Sequence, residues 1–166
     1  MRRIAGLGSM LALVLAQVTW APHLEVGGAF LNLVLLATIA VTWTLGLRSG
    51  LAWACIGGVL LDLTASGPLG PHALALLTGA YATGLWTRYL ERTTAVHLAL
   101  TAGVSTILYS LVLMLTAGFL GMPVPAAATA ARLTFAAVAY NALLMPFAHE
   151  VLRRVQGLTR AKVEAV

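Results

Sequence analysis

Residues 57–77 read GGVLLDLTASGPLGPHALALL, an apolar run with one aspartate, Asp62, set among Leu60, Leu61 and Leu63. A carboxylate in such a setting can act as a general acid or base, ligate a metal, relay a proton, or pair with a cation. In a bilayer it costs several kcal/mol unless something compensates it, so it marks a site by default. Each kind of chemistry needs further groups. Asp62 is the one carboxylate in a clearly intramembrane position, which excludes a carboxylate dyad or a two-metal site. The four histidines, His23, His72, His97 and His149, fall in different segments and on both sides of the membrane. His72 follows Pro71 at a helix start and reads as a loop or interface residue before it reads as a base. No HExxH, GxSxG, P-loop or DxxD pattern is present. The lone Cys55 permits neither an intrachain disulfide nor a CxxC site. Catalysis, a metal and a cofactor are therefore not expected. A proton-coupled carrier can work with one Asp and one Arg, so transport stays open.

The elements that position Asp62 follow from composition. The chain has 166 residues, room for one domain, and is 60% hydrophobic and 9% charged, with a mean hydropathy of +0.93. That is the make-up of an all-α integral membrane protein. Ten Lys and Arg stand against five Asp and Glu, which in a soluble chain would suggest a nucleic-acid binder. Their placement argues for membrane orientation instead, with no nucleic-acid partner. The opening MRRIAGLGSMLALVLAQ resembles a secretory signal but lacks a small-x-small cleavage site, so it is expected to remain as a first membrane helix.

Breaks at charges and at Gly/Pro clusters give six spans in one transmembrane domain: 4–20, 28–47, 50–65, 70–87, 94–120 and 126–150. The third is the short one. With the N-terminus inside, Arg2, Arg3, Arg48, Arg88, Arg92, Arg153, Arg154, Arg160 and Lys162 all lie on the inner side. The outer loops hold Glu25 and no basic residue, as the positive-inside rule requires, and only an even number of spans achieves this. Both termini are thus expected in the cytoplasm. Trp20, Trp43, Trp86 and Tyr89 fall near span ends, where amphipathic rings prefer to sit. The loops are too short for an extramembrane domain.

Within the third span Gly50, Ala54, Gly58 and Asp62 recur every four residues and share a face, which small residues open to close helix packing. Asp62 therefore extends a packing stripe, unless it snorkels to the outer interface. Gly8, Ala12 and Ala16, and Ala75, Gly79 and Thr83, form similar stripes. A partner is suggested by depth. Asp62 lies ~18 Å and Arg132 ~20 Å above the inner boundary at 1.5 Å per residue. An Asp62–Arg132 ion pair joining spans three and six is the expectation, with independent outward snorkelling of Arg132 as the alternative. Asn141, nine residues past Arg132, falls on the opposite face of the sixth span, and Pro146 frees the carbonyl of Ala142 and is expected to kink that helix. Gly67, Leu69 and Gly70 belong to a tight outer turn.

Gly58-Val59-Leu60-Leu61-Asp62-Leu63 followed by Leu69-Gly70-x-His72-Ala73-Leu74 resembles the central signature of the bacterial rod shape-determining MreD family. Length, span count, short loops and Asn141 with Pro146 after it agree with that family. Two positions depart from it. Leu31 stands where members often have Pro before the polar residue of the second span, here Asn32, and Ala54 replaces a glycine. The resemblance implies a non-enzymatic scaffold subunit of the cell-elongation complex in the bacterial cytoplasmic membrane. Implied partners are the transmembrane helix of MreC, the RodA glycosyltransferase, its class B penicillin-binding protein and, on the cytoplasmic side, MreB, besides membrane lipids. It also implies a fold like the substrate-binding subunits of energy-coupling-factor transporters. Two other classes stay open: a true vitamin-transporter substrate-binding subunit, and a lipid-precursor transporter.

Overall fold

The computed structural model describes residues 2–20, 23, 28, 31–65, 67–89 and 94–164, with side chains described between Gly8 and Val155. Among them every regular element is a helix: α1 (Arg2–Thr19), α2 (Leu33–Leu45), α3 (Leu47–Thr64), α4 (Pro71–Thr87), α5 (Ala95–Phe119) and α6 (Ala127–Glu164). Leu47–Thr64, Ala95–Phe119 and the Ala127–Val155 part of α6 are long and apolar enough to cross a membrane; Gly8–Thr19 and Leu33–Leu45 are shorter apolar helices. The chain is an integral membrane protein. Glu25 and Arg92 lie outside the described residues, as do the side chains of Arg2, Arg3, Arg160 and Lys162.

The centre of the bundle is α2, which packs against each of the other five helices. Its sequence LVLLATIAVTWTL has no polar face to offer solvent or lipid headgroups, and a helix apolar all round belongs inside. Val34, Leu35, Leu36, Ile39, Ala40 and Val41 are buried accordingly. The hydroxyls of Thr38 and Thr42 donate to the carbonyls four residues back, Val34 O and Thr38 O, at 2.8 Å. Those bonds satisfy buried polar atoms within the helix itself. Around this core, α3–α4 and α4–α5 are neighbours, and α6 lies on α5 and α2. Met10 and Val14 carry α1 into the core, while Gly8 and Ala12 of its small-residue stripe are exposed. The other stripe, Ala75, Gly79 and Thr83, is buried.

Two glycines set the corners that matter. Gly46, at φ +85°, is the entire connection between α2 and α3; its N–H donates to Thr42 O and its carbonyl accepts from Gly50 N. Only a residue without Cβ takes that backbone at no cost. Gly70, at φ +120°, ends the α3–α4 turn directly before Pro71, the first helical residue of α4.

The short helix is α2, with 13 residues or ~20 Å, where the sequence pointed to the third span. The apolar run continues upstream through Leu31, but Asn32 caps α2, its side chain accepting from Leu35 N at 2.9 Å. The third helix gains length because Gly46 lets it begin at Leu47, placing Arg48 in its first turn.

Candidate functional site

Asp62 is on the last turn of α3, with its side chain 1% exposed. Its carboxylate closes onto the start of α4. Oδ2 accepts from Gly70 N at 2.9 Å and Ala73 N at 3.2 Å, and Oδ1 accepts from His72 N at 2.9 Å. The first turn of any helix has backbone N–H groups without intrahelical acceptors and carries positive dipole charge. Asp62 supplies the acceptors and the counter-charge from a neighbouring helix. The fourth donor is His72, whose Nδ1 lies 2.9 Å from Oδ1. Four donors fill the roughly four lone-pair sites of a carboxylate.

The expected Asp62–Arg132 pair does not form. Arg132 is exposed on α6, which packs on α5 and α2, whereas Asp62 is enclosed between α3 and α4. Matched depth places two residues at one height but says nothing of azimuth around the bundle. The compensation came instead from backbone N–H groups eight to eleven residues downstream.

From His72 the polar contacts continue inward. Its ring meets Tyr109 of α5 edge to face, centroids 6.3 Å apart and planes at 62°. The Tyr109 hydroxyl makes a polar contact with the Asn32 side chain. Asn32 N donates to Asn141 Oδ1 at 3.3 Å, and Asn141 Nδ2 donates to Thr106 Oγ1 at 3.1 Å. Thr106 in turn donates to Ala102 O at 2.7 Å. Gln17 of α1 completes the set, its amide bridging Leu31 O at 2.9 Å and Leu33 N at 2.6 Å on either side of Asn32. Each of the six helices, or its cap, thus brings a polar side chain to one connected cluster. Asn141 is fully buried and Arg132 exposed, so α6 turns opposite faces to core and surroundings. Pro146 lies inside α6, two helical turns before the helix's Arg153 and Arg154 pair with Glu150.

The cluster borders an open cleft of ≈ 240 Å³. Gln17, Asn32, Thr64, His72 and Tyr109 give it polar walls, and Val18, Leu61 and Ala65 apolar ones. No group of three His, Cys, Asp or Glu suited to a metal ion occurs among the described residues.

The packing residues singled out from the sequence divide in two. Gly50, Ala54 and Gly58 are buried on the Asp62 face of α3. A Cβ on Gly58 would fall 2.7 Å from Ala73 N, and one on Gly50 would fall 2.8 Å from Thr42 Cβ, so both mark close helix approach. Gly67 and Leu69 instead lie on the exposed α3–α4 turn, Leu69 being 68% exposed. Gln17, Thr106 and Tyr109 were not singled out, and His72 was read as a loop or interface residue, not as a partner of Asp62. For His72 a signal existed: Gly70-Pro71 announces a helix start whose N–H groups need an acceptor, and Asp62 lies one tight turn upstream. For Gln17, the lone amide near the end of an apolar helix was the only trace.

Among known proteins, the family model described as rod shape-determining protein MreD matches residues 4–155. Neither the curated proteins nor the solved structures contain a match.

Proposed function

This chain belongs to the rod shape-determining MreD family, and from that premise we propose that it is a non-enzymatic scaffold subunit of the cell-elongation complex. In this reading it holds the transmembrane helix of MreC and supports peptidoglycan synthesis by RodA and its class B penicillin-binding protein, with MreB as a cytoplasmic neighbour. It resides in the bacterial cytoplasmic membrane as six transmembrane helices with both termini inside, in a fold like that of energy-coupling-factor substrate-binding subunits. The carrying observation is the family match over residues 4–155. The internal chemistry supports it: the buried polar groups bind one another and helix ends, an arrangement that fixes six helices in register. Exposed Phe135, Leu143, Phe147, Val151 and Val155 leave α6 an apolar flank suited to lipid or to another helix.

The test is copurification from membranes. The full chain is expected to retain MreC, and its loss is expected to turn rod cells round. Failure to retain MreC under conditions that keep the chain folded would refute the scaffold role.

A further inference from the structure

We propose that the cleft beside His72 binds a neutral, hydroxyl-bearing ligand, with the imidazole Nε2 as the acceptor. This goes beyond a scaffold role and does not depend on it.

Three features of the cleft define the ligand. The first is size: ≈ 240 Å³ is about eight times the ~30 Å³ share of a water in the liquid, room for a polyol or a single sugar ring. The second is charge. The lining includes no Lys, Arg, Asp or Glu, and Asp62, behind His72, is 1% exposed with four donors already on it. An ionised ligand would find no counter-charge. The third is the unused hydrogen-bonding capacity. His72 turns Nδ1 inward to Asp62, and in the neutral ring donation there leaves Nε2 as the acceptor, on a side chain that is 30% exposed. Thr64 gives its hydroxyl proton to Leu61 O at 2.8 Å, so its oxygen too is left as an acceptor. Gln17 has both ends of its amide engaged. Asn32, whose Oδ1 is taken by Leu35 N, adds its amide NH₂ to the lining and Tyr109 its hydroxyl, so the cleft offers acceptors and donors together and is complementary to O–H groups, which both donate and accept. Val18, Leu61 and Ala65 suit the C–H faces of the same molecule.

The hydroxyls can come from a glycolipid headgroup or from a free sugar, and one experiment separates the two. The full chain, ¹⁵N-labelled at histidine, is placed in phosphatidylcholine nanodiscs, whose lipid has no hydroxyl. Monoglucosyl diacylglycerol is titrated into the disc, and glucose into solution. The Nε2 resonance of His72 is identified by its absence in His72→Asn, a variant that keeps an N–H donor for Asp62. We expect a saturable shift of that resonance; a response to the glucolipid alone assigns the lipid source, and a response to glucose the free one. Thr64→Val, on the exposed rim of the cleft, is expected to weaken the response on the order of tenfold, the loss of about one hydrogen bond. No shift with either probe overturns the proposal. So does a response to methylammonium alone, or an Nε2 already protonated in the ligand-free protein.

Discussion

At the scale of the residue, Asp62 is a helix cap supplied from a distance. Three backbone N–H groups and one imidazole compensate a charge that would otherwise be expensive in a bilayer. Asp62→Asn keeps the size but substitutes an NH₂ for one acceptor, setting donor against donor at the start of α4. Its expected cost is about 2–3 kcal/mol, the value of charged hydrogen bonds lost and an N–H left buried. Arg132→Ala, at an exposed position, is expected to stay within ~0.5 kcal/mol of the parent. Unfolding of the purified protein in detergent checks both; equal damage from the two substitutions would restore the ion pair and sink the capping account. Exchanging the two charges is likewise expected to leave the Asp62→Asn-like defect in place. The burial of Asp62 was legible from the Gly50, Ala54, Gly58 spacing, because periodicity reports faces. Its partner was harder to see, because the compensation was mostly backbone N–H groups, announced only indirectly by the helix start at Gly70-Pro71. The Asn141–Thr106 contact gives a second measurement at this scale. A double-mutant cycle of Asn141→Leu and Thr106→Val is expected to return a coupling of about 0.6 kcal/mol, the average for interhelical hydrogen bonds in membranes. Additive effects of the two substitutions would show that the contact carries no energy of its own.

At the scale of the element, glycines within helices differ in what they face. Gly58 meets the backbone of Ala73, which cannot rotate aside, while Gly103 on α5 has only Val138 Cγ1 at 3.5 Å, an ordinary contact. Gly58→Ala is therefore expected to prise α3 from α4 and cost about 3 kcal/mol or more, at the top of the overpacking range. Gly103→Ala is expected to be neutral or to gain up to ~1 kcal/mol, since alanine is the better helix former. Yield of folded protein and thermal unfolding in the same detergent rank the two, and a tolerated Gly58→Ala would mean that this approach of α3 to α4 is not what holds them. The small-residue stripes were readable in the sequence, yet their use was not: Ala75, Gly79 and Thr83 pack inside, whereas Gly8 and Ala12 face outward. Spacing tells that a helix can be approached closely and leaves open by what. The length of α2 was hidden for a related reason. Hydropathy runs on past Leu31, and the stop comes from Asn32 and Gln17 taking the N–H groups of Leu35 and Leu33.

At the scale of the whole molecule, the arrangement of the helices constrains how the chain sits in the membrane. Helix α2, ~20 Å long, is too short to cover a ~30 Å hydrocarbon core, but it is ringed by the other five and needs no lipid contact along most of its length. Short central helices are thus compatible with a six-span bundle whose outer members, α5 and α6, set the thickness. On the proposed topology the charges choose the orientation: exposed Arg48 and Arg88 sit at the α2–α3 and α4–α5 corners, with Arg153 and Arg154 in the C-terminal third of α6. The opposite corners, at Leu69 and Val124, have no Lys or Arg within the turns themselves. In a Cys55→Ser background, single cysteines at Leu69 and Val124 are expected to react with a membrane-impermeant maleimide from outside intact cells. Cysteines at Arg48 and Arg88 are expected to react only after the membrane is opened. Both sets face the right way only if α3, α4 and α5 each cross the membrane, and with α1, α2 and α6 crossing as well both termini come to the inner side. Labelling of position 48 or 88 from outside, or protection of 69 and 124, would require one of the shorter helices to lie within a leaflet, and the inner placement of both termini would fall with it.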